Sequence, residues 1–198
     1  MPDKKVDSQE YAYYLADSPT KGWRKFVDVQ MPYRWHIRSL KLGFVLDIGC
    51  GVGRNLAHLN GNGIGIDINP YCIKIARQRG YKVFSPKEFE TTEYNSPSTF
   101  DSILLAHVLE HMTSDDAVEL LENRIPLLRK GGRMICFTPQ ESGFRSDPTH
   151  TEFMDFDKLQ KIYQRAHLKI IRWYSFPFPR WSGRFFRYNE FVTIAQKI

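Results

Sequence analysis

A chain of 198 residues, 42% hydrophobic and 25% charged, has the material for one globular core and lacks the composition of a disordered, collagenous or disulfide-stapled protein. Lys and Arg outnumber Asp and Glu by 28 to 22, which suits an anionic partner or simply a well-solvated surface. Cys50, Cys72 and Cys136 lack C-x-x-C spacing, Met1 to Glu10 is polar and no signal peptide, and no apolar run reaches transmembrane length, so the expectation is a cytoplasmic protein in a reducing compartment.

Residues 1–42 read as an N-terminal helical cap segment. Tyr11, Tyr13, Tyr14, Trp23, Phe26, Tyr33 and Trp35 enrich it in aromatics, and Pro19 and Pro32 divide it into two or three short helices. It serves either as a packing layer on a sheet edge or as a lid over a site.

Phe44 to Ile48 is a short apolar strand broken by Asp47, and Gly49, Gly51 and Gly53 follow at every second position. Asn55-Leu56-Ala57-His58-Leu59 resumes with helical spacing, so the unit is strand, glycine turn, helix. A second strand, Gly63 to Asp67, also ends in an acid, which follows Asp47 by 20 residues. That is the interval at which α/β nucleotide sites place a ribose-binding carboxylate. A dinucleotide fingerprint G-x-G-x-x-G would need glycine at position 54, where this chain has Arg54. Asp47 would also repel a pyrophosphate at the turn. A ligand with cationic groups removes the conflict.

Val45 to Gly53 resembles the first motif of the class I S-adenosylmethionine-dependent methyltransferases, and Gly65-Ile66-Asp67 resembles their second. The resemblance implies that Asp47 and the Gly49, Cys50, Gly51, Gly53 turn hold the methionine part of S-adenosylmethionine, and that Asp67 chelates the ribose. It further implies that Ile68 walls the adenine, that Ala106 or His107 borders the transferable methyl, and that Arg34 or Arg38 meets the methionine carboxylate. The chain departs from the family after its third strand, Tyr81 to Phe84, where Ser85-Pro86-Lys87-Glu88 replaces the usual adenine-binding acid or asparagine. Glu88 or backbone is left for that role.

Asn69-Pro70 opens the next helix and Gly80 stops it. Phe100 to His107 is a continuous apolar strand suited to a parallel sheet buried on both faces, and Thr113 caps a helix running to Leu128. Arg133 to Thr138 is the fifth strand, and the loop 139–151 carries His150. Asp155 caps a helix with Phe156, Leu159, Ile162, Tyr163 and Ala166 on one face. Leu168 to Phe176 and Phe185 to Ile198 are strands six and seven, with no helix between them. The fold expected is α/β: a single doubly wound seven-stranded sheet, mostly parallel with an antiparallel last strand, and helices on both faces. Residues 43–198 form the methyltransferase domain that the resemblance implies.

His107-Val108-Leu109-Glu110-His111 spells the H-x-x-E-H pattern of some zinc proteases, but that pattern needs a helix and His107 ends a strand. With His150 these residues instead resemble the loops of metal-assisted O-methyltransferases, including those acting on small-RNA 2′-hydroxyls, which carry a glutamate where this chain has His107. His107, Glu110, His111 and His150 are therefore candidate ligands of a divalent metal, with an all-nitrogen set favouring zinc, iron or manganese over magnesium. His107, His111 and His150 are equally candidates for a general base at the methyl-transfer site, or for hydrogen bonds that only order the sheet end.

From Arg172 to Tyr188, arginines interleave with aromatic residues. Such a run is either strand core with solvated arginines or a surface for single-stranded nucleic acid or an anionic headgroup. The function that follows is O-methylation of a small or lipid-linked metabolite; methylation of RNA and a non-catalytic cofactor-binding role are the alternatives. The chain has no N-P-P-[YFW] sequence after strand four, which disfavours exocyclic base amines and glutamine amide as acceptors.

Overall fold

The computed structural model describes residues 8–10, 12 and 31–197. Seven strands form one sheet: β1 (Val45–Ile48), β2 (Gly63–Ile66), β3 (Val83–Phe84), β4 (Phe100–Ala106), β5 (Leu128–Pro139), β6 (Leu168–Phe176) and β7 (Glu190–Lys197), in the order β3-β2-β1-β4-β5-β7-β6. β1 pairs parallel with β2 and β4, β2 with β3, and β4 with β5, whereas β7 lies antiparallel between β5 and β6. Reversal of the strand order at β1 and β4 opens a crevice at their carboxyl ends, the place where open α/β sheets take ligands.

Among the described residues the sheet is accompanied by α1 (Met31–Ser39), α2 (Arg54–His58), α3 (Pro70–Gln78), α4 (Pro86–Phe89), α5 (Ser114–Arg124), α6 (Glu141–Phe144) and α7 (Phe156–Arg165). Their starts are written locally. Asn69 Oδ1 accepts from the amides of Tyr71 and Cys72 ahead of Pro70, Ser85 and Thr113 form capping boxes with Glu88 and Asp116, and Asp155 accepts from Lys158 N. Alternation along the strands sends side chains to two cores. Leu46 and Ile48 pack with Leu105, Leu121, Leu159 and Ile162 on the α5–α7 face, while Val45 packs with Leu104, Phe137 and the α1 residue Ile37 on the other. Asp47 shares the parity of Val45, so its carboxyl belongs to the α1 face.

Some boundaries differ from expectation. The helix after Thr113 ends at Arg124, because Pro126 sits in a 3₁₀ turn (Ile125–Leu127) and β5 already starts at Leu128. The loop 139–151 contains α6. β7 begins at Glu190 and not at Phe185, since a 3₁₀ turn (Arg180–Arg184) and the residues after it connect it to β6. Of the N-terminal segment, the expected features at Tyr11, Tyr13, Tyr14, Pro19, Trp23 and Phe26 lie outside the described residues. Ser8 and Ala12 rest against the site: Asn69 Nδ2 donates to Ser8 O at 3.0 Å, and Ala12 is buried with Val52 and Cys72. The three cysteines are buried and unpaired. Among the described residues no helix is long and apolar enough to cross a membrane.

The two sheet faces differ in how they treat polar groups. On the α7 side Tyr163 is fully buried, and its hydroxyl meets Thr193 Oγ1 at 2.6 Å. Tyr163→Phe should lower unfolding free energy in urea by about 1 kcal/mol, because the Thr193 hydroxyl loses its partner. The double change Tyr163→Phe/Thr193→Val should cost no more than the single one.

Candidate active site

The glycine turn is shaped by close contact with the loop after β4. Gly49 has φ +70°, and a Cβ there would lie 2.5 Å from Val108 Cγ2. The amides of Gly49 and Cys50 both donate to Ile66 O, at 2.8 and 3.1 Å, folding the turn against β2. Cys50 points its side chain into a small core with Leu56, Ile73, Ala76 and Val83, so any contact it makes with a ligand is through its backbone.

Two acids face the turn from the ends of β1 and β2. Asp67 accepts from Gly51 N at 2.7 Å through Oδ2 and from Asn69 N at 2.8 Å through Oδ1. Each oxygen keeps a lone pair for a vicinal diol. Asp47 is in a different state. It is fully buried, its Oδ1 has only a long 3.4 Å contact with Asn55 Nδ2, and its Oδ2 has no partner among the described residues. Burial pushes its carboxyl up to about 8, against the Asn55 bond and with help from the Asp67 charge. Native structures satisfy most buried polar atoms, so this oxygen beside the glycine turn is a candidate acceptor for a ligand donor.

At the end of β4 the chain enters the left-handed region at His107, with φ +60°. The imidazole lies between two carboxylates: Nδ1 is 3.2 Å from Glu110 Oε1 and Nε2 is 2.7 Å from Glu190 Oε1. Burial works against its charge, but Glu190 and Glu110 hold its pKa well above the ordinary histidine value, so both nitrogens donate. Glu190, the first residue of β7, is a site residue that sequence reasoning missed. Tyr33 of α1 is another. Its ring packs on His58, Phe137 and Phe176, and burial, then the charges of Glu190, Asp47 and Glu110, hold its phenol well above the usual range.

The loops after β4 and β5 are sewn together. Glu110 O accepts from Thr151 N at 2.7 Å and from Glu152 N at 3.2 Å, and His111 O accepts from Thr151 Oγ1 at 3.2 Å. This seam brings the His111 and His150 rings to a centroid separation of 4.9 Å. His150 Nδ1 lies 2.8 Å from Phe144 O and His111 Nδ1 3.2 Å from Thr149 O, so each ring donates from Nδ1 to a backbone carbonyl and is oriented by it. Ligand atoms of Glu110, His111 and His150 all lie within 4.8 Å of one another, and Glu110 Oε2 is buried without a partner. A divalent ion fits this set, with backbone carbonyls orienting both histidines. His107 is not part of this ligand set, because Glu110 and Glu190 occupy both of its nitrogens, but its contact with Glu110 keeps it adjacent.

The remaining candidates are distributed as follows. Ile68 is 65% exposed beside Asp67, an open apolar surface at the end of β2. Ala106 is half-buried on the α1 face of β4 and Arg34 half-buried on α1. Arg38 donates to His58 O and Asn60 Oδ1 and so braces α2. Glu88 spends its carboxylate on Ser85 N and Arg77, in the α4 capping box.

A family model described as a methyltransferase domain matches residues 23–191. The chain belongs to the class I methyltransferase family. Among relatives of this methyltransferase, the ubiquinone biosynthesis O-methyltransferase of Xanthomonas euvesicatoria pv. vesicatoria is 28% identical over 134 residues, 64% of this chain and 55% of the relative. The chain thus spans little more than half the length of the ubiquinone enzymes it matches. An uncharacterized methyltransferase of Bacillus thuringiensis is 29% identical over 165 residues, 78% of this chain and 76% of that one. Two solved structures share the fold. A SAM-dependent methyltransferase from Archaeoglobus fulgidus has TM-score 0.69 at 19% identity, covering 93% of this chain and 99% of its own. Magnesium protoporphyrin IX methyltransferase from Synechocystis PCC 6803, with bound SAH, has TM-score 0.67 at 14% identity over 98% and 96%.

The state of Asp47 has a measurable consequence for the ligand-free protein. Its unfolded carboxyl ionises near a pKa of about 3.9, whereas the folded one keeps its proton until about 8. Between those values the folded state binds the extra proton, so this residue's contribution to stability falls as pH rises. Asp47→Asn should therefore be more stable than the wild type at neutral pH, by on the order of 1–3 kcal/mol. Its advantage should vanish in acid below the unfolded value and grow as pH climbs. Urea unfolding at several pH values reads this directly.

Proposed function

We propose that this protein transfers a methyl group from S-adenosylmethionine to an oxygen of a small or lipid-linked metabolite. The observation that carries the reading is the orphaned, buried Asp47 carboxyl beside the glycine turn, with Asp67 one strand away. The donor supplies a methyl group on a sulfonium, displaced in line with a neutral thioether leaving. Asp47 receives the α-ammonium, the Gly49–Gly53 backbone approaches the methionine chain, and Asp67 accepts from the ribose hydroxyls. Ile68 offers the adenine one apolar wall, Ala106 borders the methyl, and Arg34 meets the carboxylate. Among the described residues, α1 and Ala12 flank the donor side of the sheet, Ala12 packed on Val52 beside the glycine turn.

Glu110, His111 and His150 hold a divalent ion at the acceptor side, where it would ease loss of the hydroxyl proton. His107, clamped by Glu110 and Glu190, positions Glu110 in that set. The Xanthomonas relatives support an oxygen acceptor by their name. A second reading, a ribose hydroxyl of RNA, is favoured by the same Glu110–His111–His150 grouping.

S-adenosylhomocysteine should raise the melting temperature and NAD should not. Asp67→Ala should weaken S-adenosylhomocysteine binding by on the order of 1.5–3 kcal/mol in calorimetry, as for bonds to a charged group. Unchanged affinity would remove Asp67 from the site. Methyl transfer from labelled donor into cell extract should persist after nuclease treatment; loss of the labelled product would move the acceptor to RNA.

A chelator should abolish transfer and one divalent ion restore it, with His111→Ala and His150→Ala equally damaging. If transfer resists the chelator and only one histidine variant fails, that histidine is a base and no ion is used.

A further inference from the structure

The segment joining β6 to β7 is built inside out. Its uncharged polar residues are buried: Asn189 is fully inaccessible, Ser182 is 8% exposed, and both bond to the turn itself. Asn189 Oδ1 accepts from Phe178 N at 2.9 Å, Asn189 Nδ2 donates to Gln140 Oε1 at 2.9 Å, and Ser182 Oγ donates to Pro179 O at 2.8 Å. Its aromatic residues face outward instead. Phe185 is 82% exposed, Trp181 68%, Tyr188 62% and Phe178 49%. Exposed aromatic rings held on a hydrogen-bonded base are a prepared apolar surface, not a stray side chain.

The charges beside these rings divide into two groups. Arg180 is bound to both carboxylate oxygens of Glu141 and lies over the Phe191 ring, so it braces the base. Arg184 and Arg187 are exposed among the outward aromatics, and Arg187 lies 5.0 Å from the Tyr188 ring centroid. The ring geometry selects among anionic partners. Phe178 meets Phe186 at 73° and Phe186 meets Tyr188 at 69°, both edge to face. Rings so crossed offer no flat, continuous platform for successive bases, and rings exposed to this degree stand out from the surface instead of lining a groove. Protruding aromatics flanked by arginine match the boundary of a bilayer, where rings sit at headgroup depth and cations meet anionic lipid.

The position of the turn adds a functional reason. It leaves the carboxyl end of β6 and runs into Glu190, which holds His107 at the candidate site. A surface resting on this turn would be beside the acceptor entrance.

We propose that residues 178–188 form an interfacial anchor that docks the protein on an anionic lipid bilayer. The inference goes beyond the methyl-transfer reading and does not depend on it. The test is co-sedimentation of the full chain with vesicles of phosphatidylcholine alone and of phosphatidylcholine mixed with phosphatidylglycerol. The protein should sediment with the mixed vesicles at low salt and not with phosphatidylcholine alone, and added salt should release it. Arg184→Gln/Arg187→Gln should lower partitioning by about twenty-fivefold, from about a fivefold loss per basic residue at the surface. Trp181→Ser/Phe185→Ser should abolish sedimentation with the mixed vesicles. All variants should bind S-adenosylhomocysteine as the wild type does, which also verifies their folding. Failure to sediment with anionic vesicles, or sedimentation unaffected by both double variants, would overturn the proposal. So would binding of a single-stranded RNA oligonucleotide through these residues by a protein that ignores vesicles. Vesicle binding without S-adenosylhomocysteine binding would leave the anchor standing and sink the donor reading alone.

Discussion

A carboxyl group buried in the middle of a sheet, with one oxygen unmatched, costs free energy that the fold does not return. Asp47 is such a group, on the face of β1 that α1 covers, and burial already pushes it up to about 8. The elements around it are arranged for a ligand that restores the balance. The glycine turn packs so closely on the loop after β4 that Gly49 admits no Cβ beside Val108, Asp67 is fixed by two backbone amides, and α1 covers the face of the sheet that Asp47 shares. Stability given up at a binding site in this way is a common exchange for function.

The acceptor side rests on topology. β4 and β5 are neighbours running in the same direction, so their carboxyl-end loops emerge together, and the Glu110 carbonyl ties them through Thr151 and Glu152. His111 and His150, 39 positions apart in the chain, meet for that reason. β7 adds the third contribution. Its antiparallel entry places Glu190 opposite Pro139 and Phe176, at the same end of the sheet, within reach of His107.

How legible the site was depends on the range of the interactions that make it. Asp47, the three glycines and Asp67 form a local pattern, written within two strands and a turn, and the strand alternation and helix caps are local too. Glu190 had no signal, since its meaning comes from the register of an antiparallel strand 83 positions from His107. The pairing of His107 is hidden for the same reason: a histidine at a strand end looks free to ligate a metal until Glu110 after β4 and Glu190 on β7 take both its nitrogens. Phe185 to Tyr188 looked like strand because aromatic residues alternate there with arginine, yet the chain is turning and the rings point outward. Pro126 carries the stop of α5, whereas the apolar spacing alone continues the helix to Leu128.

The account comes down to whether Asp47 waits, protonated, for a cation. The most direct measurement is calorimetry of S-adenosylhomocysteine binding at a pH of about 6.5, where the ligand's ammonium is already charged, in buffers of different ionisation enthalpy. Binding should release about one proton per ligand from the wild type, as the Asp47 carboxyl ionises against the ammonium, and none from Asp47→Asn. Binding with no proton release from the wild type, or with equal release from the variant, would contradict it.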